Sequence, residues 1–387
     1  MLLVLAIIVA PVAAQENLVD KAYDHFYNLD FDEAQAGFQQ ALVLNPNSAE
    51  LHNHVAQTVV FREMFRVGAL ESELVSGDNS FLRRPKMEPQ PQTERFFLDE
   101  LSKAISLSEA RLKAAPNDAE AMYNLGISYG LRSSYYWLVK KSWRDSLKDA
   151  TAARKMHNRV SELDPKNVDA RLVQGLHDYV VGSLPWYFRA LGFLVGIRGD
   201  KQKGIQTVEY VARNGKHDRV DAEVFLGALY RRENEPLKAV PIVENLIRRY
   251  PRNFLLRLEL SQMYSMAGDK EKALGAVHEI SSLKQDHAQG YDRVSWEKIR
   301  FQEGTIQFWY LDLDQALENM KSVAAGADTL DLNTGAYAFL RIGQIYDMTN
   351  RRTLALAAYR KAIAYAPDAE AAQESKKYLS EPYRRVL

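Results

Sequence analysis

The sequence predicts an all-α fold, an α-solenoid of antiparallel helix pairs, from three observations. Apolar residues recur at helical spacing through most of the 387 residues, and no stretch alternates apolar and polar residues between turn signals as a strand would. Residues 220–253, VDAEVFLGALYRRENEPLKAVPIVENLIRRYPRN, hold two helical patterns separated by Asn234, Glu235 and Pro236 and closed by Pro251. The small Gly227 and Ala239 stand where two antiparallel helices would cross closely, with Tyr230 and Leu246 as surrounding bulk. The third observation is that this register recurs.

Phe254 continues without a gap, with Leu260, Tyr264, Gly268, Asp269, Ala273 and Val277 at equivalent positions. Gly343, Tyr346, Ala355, Tyr359, Ala362 and Pro367 repeat the register near the end, with Ile342 where leucine is usual. Met122, Leu125, Gly126 and Tyr129 carry it in the middle, and Ala34, Phe38, Ala41 and Pro46 at the front. The L-G-x-x-Y, A, P order of Leu226, Gly227, Tyr230, Ala239 and Pro251 resembles the tetratricopeptide repeat (TPR), whose period is about 34 residues. That resemblance implies a TPR superhelix with long inserted helices or loops in its second to fourth units.

Taken in order, residues 1–14 (MLLVLAIIVAPVAA) form an uncharged apolar run too short to span a bilayer, ending in small residues before Gln15. This reads as a signal peptide cleaved after Ala14, although no lysine or arginine precedes it. A terminal helix packed on the first repeat is the alternative. Residues 15–117 hold the N-terminal units, with an insertion at 67–97 that contains Pro85, Pro89 and Pro91 and reads as a loop before a helix resumes near Leu98. Residues 118–219 form extended, irregular units. There Tyr135, Tyr136, Trp137 and Trp143 are expected to be buried against the next unit. Residues 179–197 are the most apolar interior run, and Pro185 and Arg189 within it favour a buried or interfacial helix over a span. The C-terminal array fills 220–369, with an irregular unit over 296–324. Residues 370–387 are a capping helix and tail, wetted by Glu370, Gln373, Glu374, Lys376 and Lys377.

The order of Leu184, Pro185, Gly192, Phe193, Gly199, Asp200 and Gly204, followed by FLGALY, is similar to the tetratricopeptide repeat protein 39 group and its inclusion-body clearance relatives. This narrower resemblance covers about the central fifth of the chain and implies architecture more than mechanism.

Chemical signatures are mostly excluded at a named residue. Lys plus Arg and Asp plus Glu are both 50, so no global field draws the chain to nucleic acid, and none indicates an anionic membrane. Zero cysteines exclude thiolate metal sites and cysteine nucleophiles. His278-Glu279 begins a zinc-protease pattern, but Ser282 stands at the second histidine position, and His52 and His54 face different sides of a helix. No phosphate-binding glycine loop is present, and Ser281 to Lys284 matches S-x-x-K alone. We therefore expect no catalysis, no metal and no cofactor.

The function expected is an exported, periplasmic or cell-envelope scaffold that binds a protein or peptide in its concave groove. An envelope- or lipid-associated adaptor is the alternative, followed by the helical support of an enzyme. In TPR arrays the groove is lined by the first helix of each pair, and the resemblance places Tyr123, Ile127, Leu176, Tyr179, Val224, Arg231, Arg232, Leu258, Gln262, Phe301, Phe308 and Trp309 there. Apolar and aromatic residues with two arginines suit an apolar peptide bearing an acidic group. The lysine and asparagine clamp of chaperone-tail binders is absent at these positions.

Overall fold

The computed structural model describes residues 2–66, 68, 70, 90–184, 198–327, 330 and 332–385, and every regular element among them is helical. The chain divides into two compact units, Met1–Arg66 with Lys86–Tyr230, and Val67–Pro85 with Arg231–Leu387.

Unit 1 is built from α1 (Leu2–Tyr27), α2 (Phe31–Leu44), α3 (Ala49–Arg66), α4 (Pro91–Ala114), α5 (Ala119–Tyr135), α6 (Trp143–Leu163), α7 (Arg171–Gly182), α8 (Lys201–Asn214) and most of α9 (Arg219–Arg232). Consecutive helices pack as pairs, α1 on α2, α3 on α4, α5 on α6 and α7 on α8, and the second helices α2, α4 and α6 each pack on the first helix of the following pair. First helices also meet, as α3 does α5. The pairs close where glycine removes a side chain. A Cβ on Gly126 would lie 2.7 Å from the His157 ring, and one on Gly204 would lie 2.4 Å from the Tyr179 backbone nitrogen.

Unit 2 holds α10 (Pro236–Arg249), α11 (Phe254–Met266), α12 (Lys270–Gln285), α13 (Trp296–Trp309), α14 (Leu313–Ala325), α15 (Leu332–Met348), α16 (Arg352–Tyr365) and α17 (Glu370–Ser380). Here α11 packs on α12, α13 on α14 and α15 on α16, while α17 covers α16 and α15. Side-chain caps start several helices. Asn253 accepts from Leu255 N–H, Asp269 from Lys272 N–H and Ser295 from Lys298 N–H. The core of the last pairs joins Phe308, Met320, Ala336, Leu340, Ile345 and Tyr359.

The turn inside several pairs has one backbone whatever its residue. Leu29, Asn234, Gly268, Leu311 and Asn350 all take positive φ, from 58° to 84°. A leucine pays a steric penalty there of about 1 kcal/mol that glycine avoids, so the packing of the pair, not the turn residue, sets this geometry.

The structure departs from the sequence expectation in three places. The helix expected near Leu98 begins at Pro91, because proline fits the first helical turn, where its missing N–H bonds nothing. Residues 71–89 of that insertion lie outside the described residues, as do 185–197 of the apolar run. The unit over 296–324 is a regular pair. Of the aromatic residues expected to be buried, Tyr135 is, but Trp137 and Trp143 are 37 % and 59 % exposed; Trp143 opens α6, with the Arg144 guanidinium 5.5 Å above its ring.

Gly343→Ala tests the close crossing. The new methyl would sit 2.4 Å from the ring of Tyr359, which is fully buried and donates its hydroxyl to Asp347. Alanine gains about 1 kcal/mol of helix propensity over glycine, and overpacking costs about 1 to 3 kcal/mol, so net destabilisation by urea titration is expected. A midpoint equal to or above wild type would show that the crossing has room.

Candidate functional site

The expected groove residues all fall on the first helix of a pair, but their surroundings differ. In unit 1, Tyr123, Ile127, Leu176 and Val224 are half-buried, whereas Tyr179 is buried where α7 crosses α8. In unit 2, Leu258 and Phe308 are buried, and Gln262 and Phe301 are half-buried, Phe301 against the core of the last pairs. Arg231 is buried, with its guanidinium 2.6 Å from Glu259, so its charge is already answered within the chain; Arg232 is exposed. Trp309 is 43 % exposed, under the guanidinium groups of Arg341 at 5.1 Å and Arg385 at 5.5 Å. Burial withdraws Tyr179, Leu258 and Phe308 from direct partner contact, because packing between neighbouring helices claims them. The pair with Glu259 leaves no basis for an acidic partner group at Arg231.

What unit 1 does bring together is a tyrosine and carboxylate cluster on its first helices. Tyr23 and Tyr27 stand four residues apart on α1, so both project from one face, and their rings stack at 5.9 Å. The Tyr27 hydroxyl donates to Asp221 Oδ1 at 3.0 Å, across 194 residues of chain. Tyr23 Oη lies 2.9 Å from His54 Nδ1 on α3, and His54 Nε2 is 3.6 Å from Glu50. From α5, the Tyr123 hydroxyl donates to Asp218 Oδ2 at 2.7 Å. Buried Asp169 fixes this turn by accepting the backbone N–H groups of Lys216, His217 and Asp218 at 2.9, 3.3 and 3.2 Å, which sets Asp218 just before α9 and Asp221 in its first turn.

The electrostatics follow from the setting. Asp218 and Asp221 are half-buried where Tyr27 of α1 and Tyr123 of α5 meet the start of α9, and keep partial access to water. Burial pushes the Asp221 carboxyl up to about 6 against the opposing hydrogen bond from Tyr27. Asp218 is held well above the carboxylate range, first by burial and then by the charge of Asp221. Burial and the same carboxylates raise the hydroxyls of Tyr23 and Tyr123. Among the described residues no lysine or arginine bonds Asp218 or Asp221, and no group of acidic and histidine side chains has the arrangement of a metal site. Of this cluster the sequence reading named only Tyr123. The stacked pair was visible as tyrosines at i and i+4 on the first helix, but the approach of Asp221 to it was not, since only the fold closes that distance.

The chain is thus an array of antiparallel helix pairs. Within it residues 337–369, from α15 to the turn after α16, match the tetratricopeptide repeat model. Residues 337–369 thus carry a tetratricopeptide repeat, one of the antiparallel helix pairs of unit 2. No curated protein matches the chain. Among solved structures, yeast Tom70 is similar over 95 % of this chain and 95 % of its own, at 11 % identity and a TM-score of 0.41. The human IFIT1 dimer with m7Gppp-AAAA is similar over 94 % of this chain and 84 % of its own, at 14 % identity and a TM-score of 0.47. A tetratricopeptide repeat protein from Parabacteroides merdae is similar over 81 % and 93 %, at 14 % identity and a TM-score of 0.32.

Asp221→Asn tests the cluster through stability. A carboxyl whose folded value, about 6, exceeds the unfolded value of about 3.9 favours folding below about pH 4, and that contribution is lost as pH rises through 6. Above pH 7 the buried charge costs about 1 to 2 kcal/mol once partial screening by water is allowed for. The asparagine variant should therefore exceed wild type by that amount at pH 7.5 in urea titration, with the difference shrinking toward zero near pH 4.5. A constant or reversed difference would show that Asp221 is well solvated.

Proposed function

We propose that the chain is an exported, non-catalytic scaffold whose first-helix face in unit 1 holds a protein segment carrying a basic side chain. The observation that carries this reading is the meeting of Glu50, Asp218 and Asp221 with the rings of Tyr23, Tyr27 and Tyr123 on one recessed face. A lysine or arginine entering there gains a charge-assisted hydrogen bond to a carboxylate and a cation–π contact with a tyrosine, while relieving the repulsion between Asp218 and Asp221. Export rests on residues 1–14. Cleavage after Ala14 would leave Gln15 to Tyr27 as the mature first helix, retaining both tyrosines. The narrower resemblance to the tetratricopeptide repeat protein 39 group adds no partner, and three of the residues that carry it, Pro185, Gly192 and Phe193, lie outside the described residues.

Binding to arrays of heptapeptides separates this reading from its rivals. Wild type should retain lysine- and arginine-bearing peptides over glutamate-bearing ones, and Asp218→Asn with Asp221→Asn should weaken that retention at least about tenfold, or 1.4 kcal/mol, with helicity unchanged. Equal retention of basic and acidic peptides by wild type would overturn it. Mass spectrometry of the protein made with its native N-terminus should find Gln15 first, outside the cytoplasm.

One observation favours a second reading, contact with a lipid surface. Because the pairs are antiparallel, the end of α5, the start of α6 and the end of α7 lie on the same edge of unit 1. That edge exposes Trp137, Trp143, Leu147, Val180 and Leu184, beside the cations Arg144 and Lys148. Exposed tryptophans flanked by basic side chains suit the headgroup layer of an anionic bilayer. No described helix is long and apolar enough to cross one. Flotation with phosphatidylglycerol vesicles should carry wild type and lose at least half of Trp143→Ala with Leu147→Ala; no flotation of wild type would end this reading.

A further inference from the structure

The exposed Trp309 leads to a second binding site, in unit 2. After α17 the chain turns extended, with Glu381 at φ −122° and ψ 134°, and residues 381–385 run back over the last turns of α13, α15 and α17. The backbone N–H of Tyr383 donates to Asp347 Oδ2 at 2.8 Å. Asp347 is fixed for this task, since it also accepts from Arg352 Nη1 at 2.9 Å and from the Tyr359 hydroxyl at 2.9 Å. The Tyr383 ring enters a niche, 5.2 Å from the Tyr378 ring at 79° and 6.2 Å from that of Phe308. Two residues on, the Arg385 guanidinium lies 5.5 Å above Trp309. In an extended segment, residues two apart project from one side, so Tyr383 and Arg385 face the helices while Glu381, Pro382 and Arg384 are exposed.

Two features distinguish this from a frayed end. The receiving surface is prepared: Arg341 stacks on Phe308 at 4.7 Å and Trp309 at 5.1 Å, and Arg352 Nη2 bonds the carbonyls of Tyr378 and Leu379 at 2.8 and 3.1 Å, which holds the helix end beneath the segment. Among the described residues the hold on the segment is also slight, one backbone hydrogen bond and two side-chain anchors. The recognition therefore reads an aromatic ring, one backbone N–H and a cation two residues later. It demands nothing that only this chain could supply.

We propose that the ends of α13, α15 and α17 form a binding site for an extended Tyr-x-Arg segment, occupied in the free chain by Tyr383 and Arg385, and opened to a partner segment of the same chemistry when they leave. A tethered occupant competes at an effective concentration of about millimolar, so a free segment binds the intact chain weakly and the vacated site well. The site lies in unit 2 and shares no residue with the carboxylate face of unit 1, so either can fail alone.

The test uses the full chain and a fluorescein-labelled peptide, SEPYRRVL, the sequence of residues 380–387. Tyr383→Ala with Arg385→Ala should keep wild-type helicity by circular dichroism and bind the peptide at least tenfold more tightly than wild type does. Adding Trp309→Ala to that variant should undo the gain, as should replacing the peptide's tyrosine by alanine. In an Asp218→Asn, Asp221→Asn background, which removes the unit 1 carboxylates that would also take a basic peptide, the tail variant should keep the same gain. Binding by the tail variant no tighter than wild type would overturn the proposal. So would loss of helicity in that variant, which would make the segment part of the core, and so would tight binding that ignores Trp309.

Discussion

The close antiparallel crossing is the constraint on which the rest of the structure depends. At Gly126 under His157, at Gly204 against the α7 backbone and at Gly343 under Tyr359, a missing side chain lets a large group from the paired helix fill the gap. At Gly126 that group is an imidazole that burial lowers to about 4, so it packs as a neutral ring. With the crossing fixed, the first helices are brought side by side, as α3 is to α5 and α13 to α15. The carboxylate cluster of unit 1 is then a matter of which side chains those adjacent first helices share.

The pairing was legible in the sequence because it follows from local periodicity and from small residues at fixed offsets. The match of residues 337–369 falls where Gly343, Tyr346, Ala355 and Tyr359 keep the register most fully. Burial within the first helices was not legible, since it depends on neighbours that the register does not name. Tyr123, three residues before Gly126, and Tyr179, four residues after Gly175, project from the same face of their helices, yet one reaches Asp218 and the other is sealed by the α7–α8 crossing. Arg231 looked like a surface cation because Glu259, which it pairs with, belongs to the next first helix. Trp143 looked like core because tryptophan usually is, but its position at the first residue of α6 puts it at an edge.

A chain with equal numbers of acidic and basic residues need not be locally neutral. The first-helix face of unit 1 concentrates carboxylates that no described lysine or arginine bonds, whereas the surface around Trp309 in unit 2 concentrates guanidinium groups stacked on aromatic rings. In the first, desolvation raises carboxyl pKa values; in the second, burial lowers that of Arg341, the same physics acting on the opposite charge. Overall composition conceals both.

The bond from Tyr27 to Asp221 has a further consequence for how the molecule is made. Helix pairs join residues near in sequence, and structures rich in such contacts form quickly because little chain entropy is lost at each closure. Tyr27 and Asp221 are 194 residues apart. During synthesis α1 comes early, while its acceptor emerges only after all the described helices from α1 to α8. The recess in unit 1 is therefore assembled late. A partially made or truncated chain can own every tyrosine of that face and still lack the carboxylates opposite, so the cluster is complete only once α9 has formed.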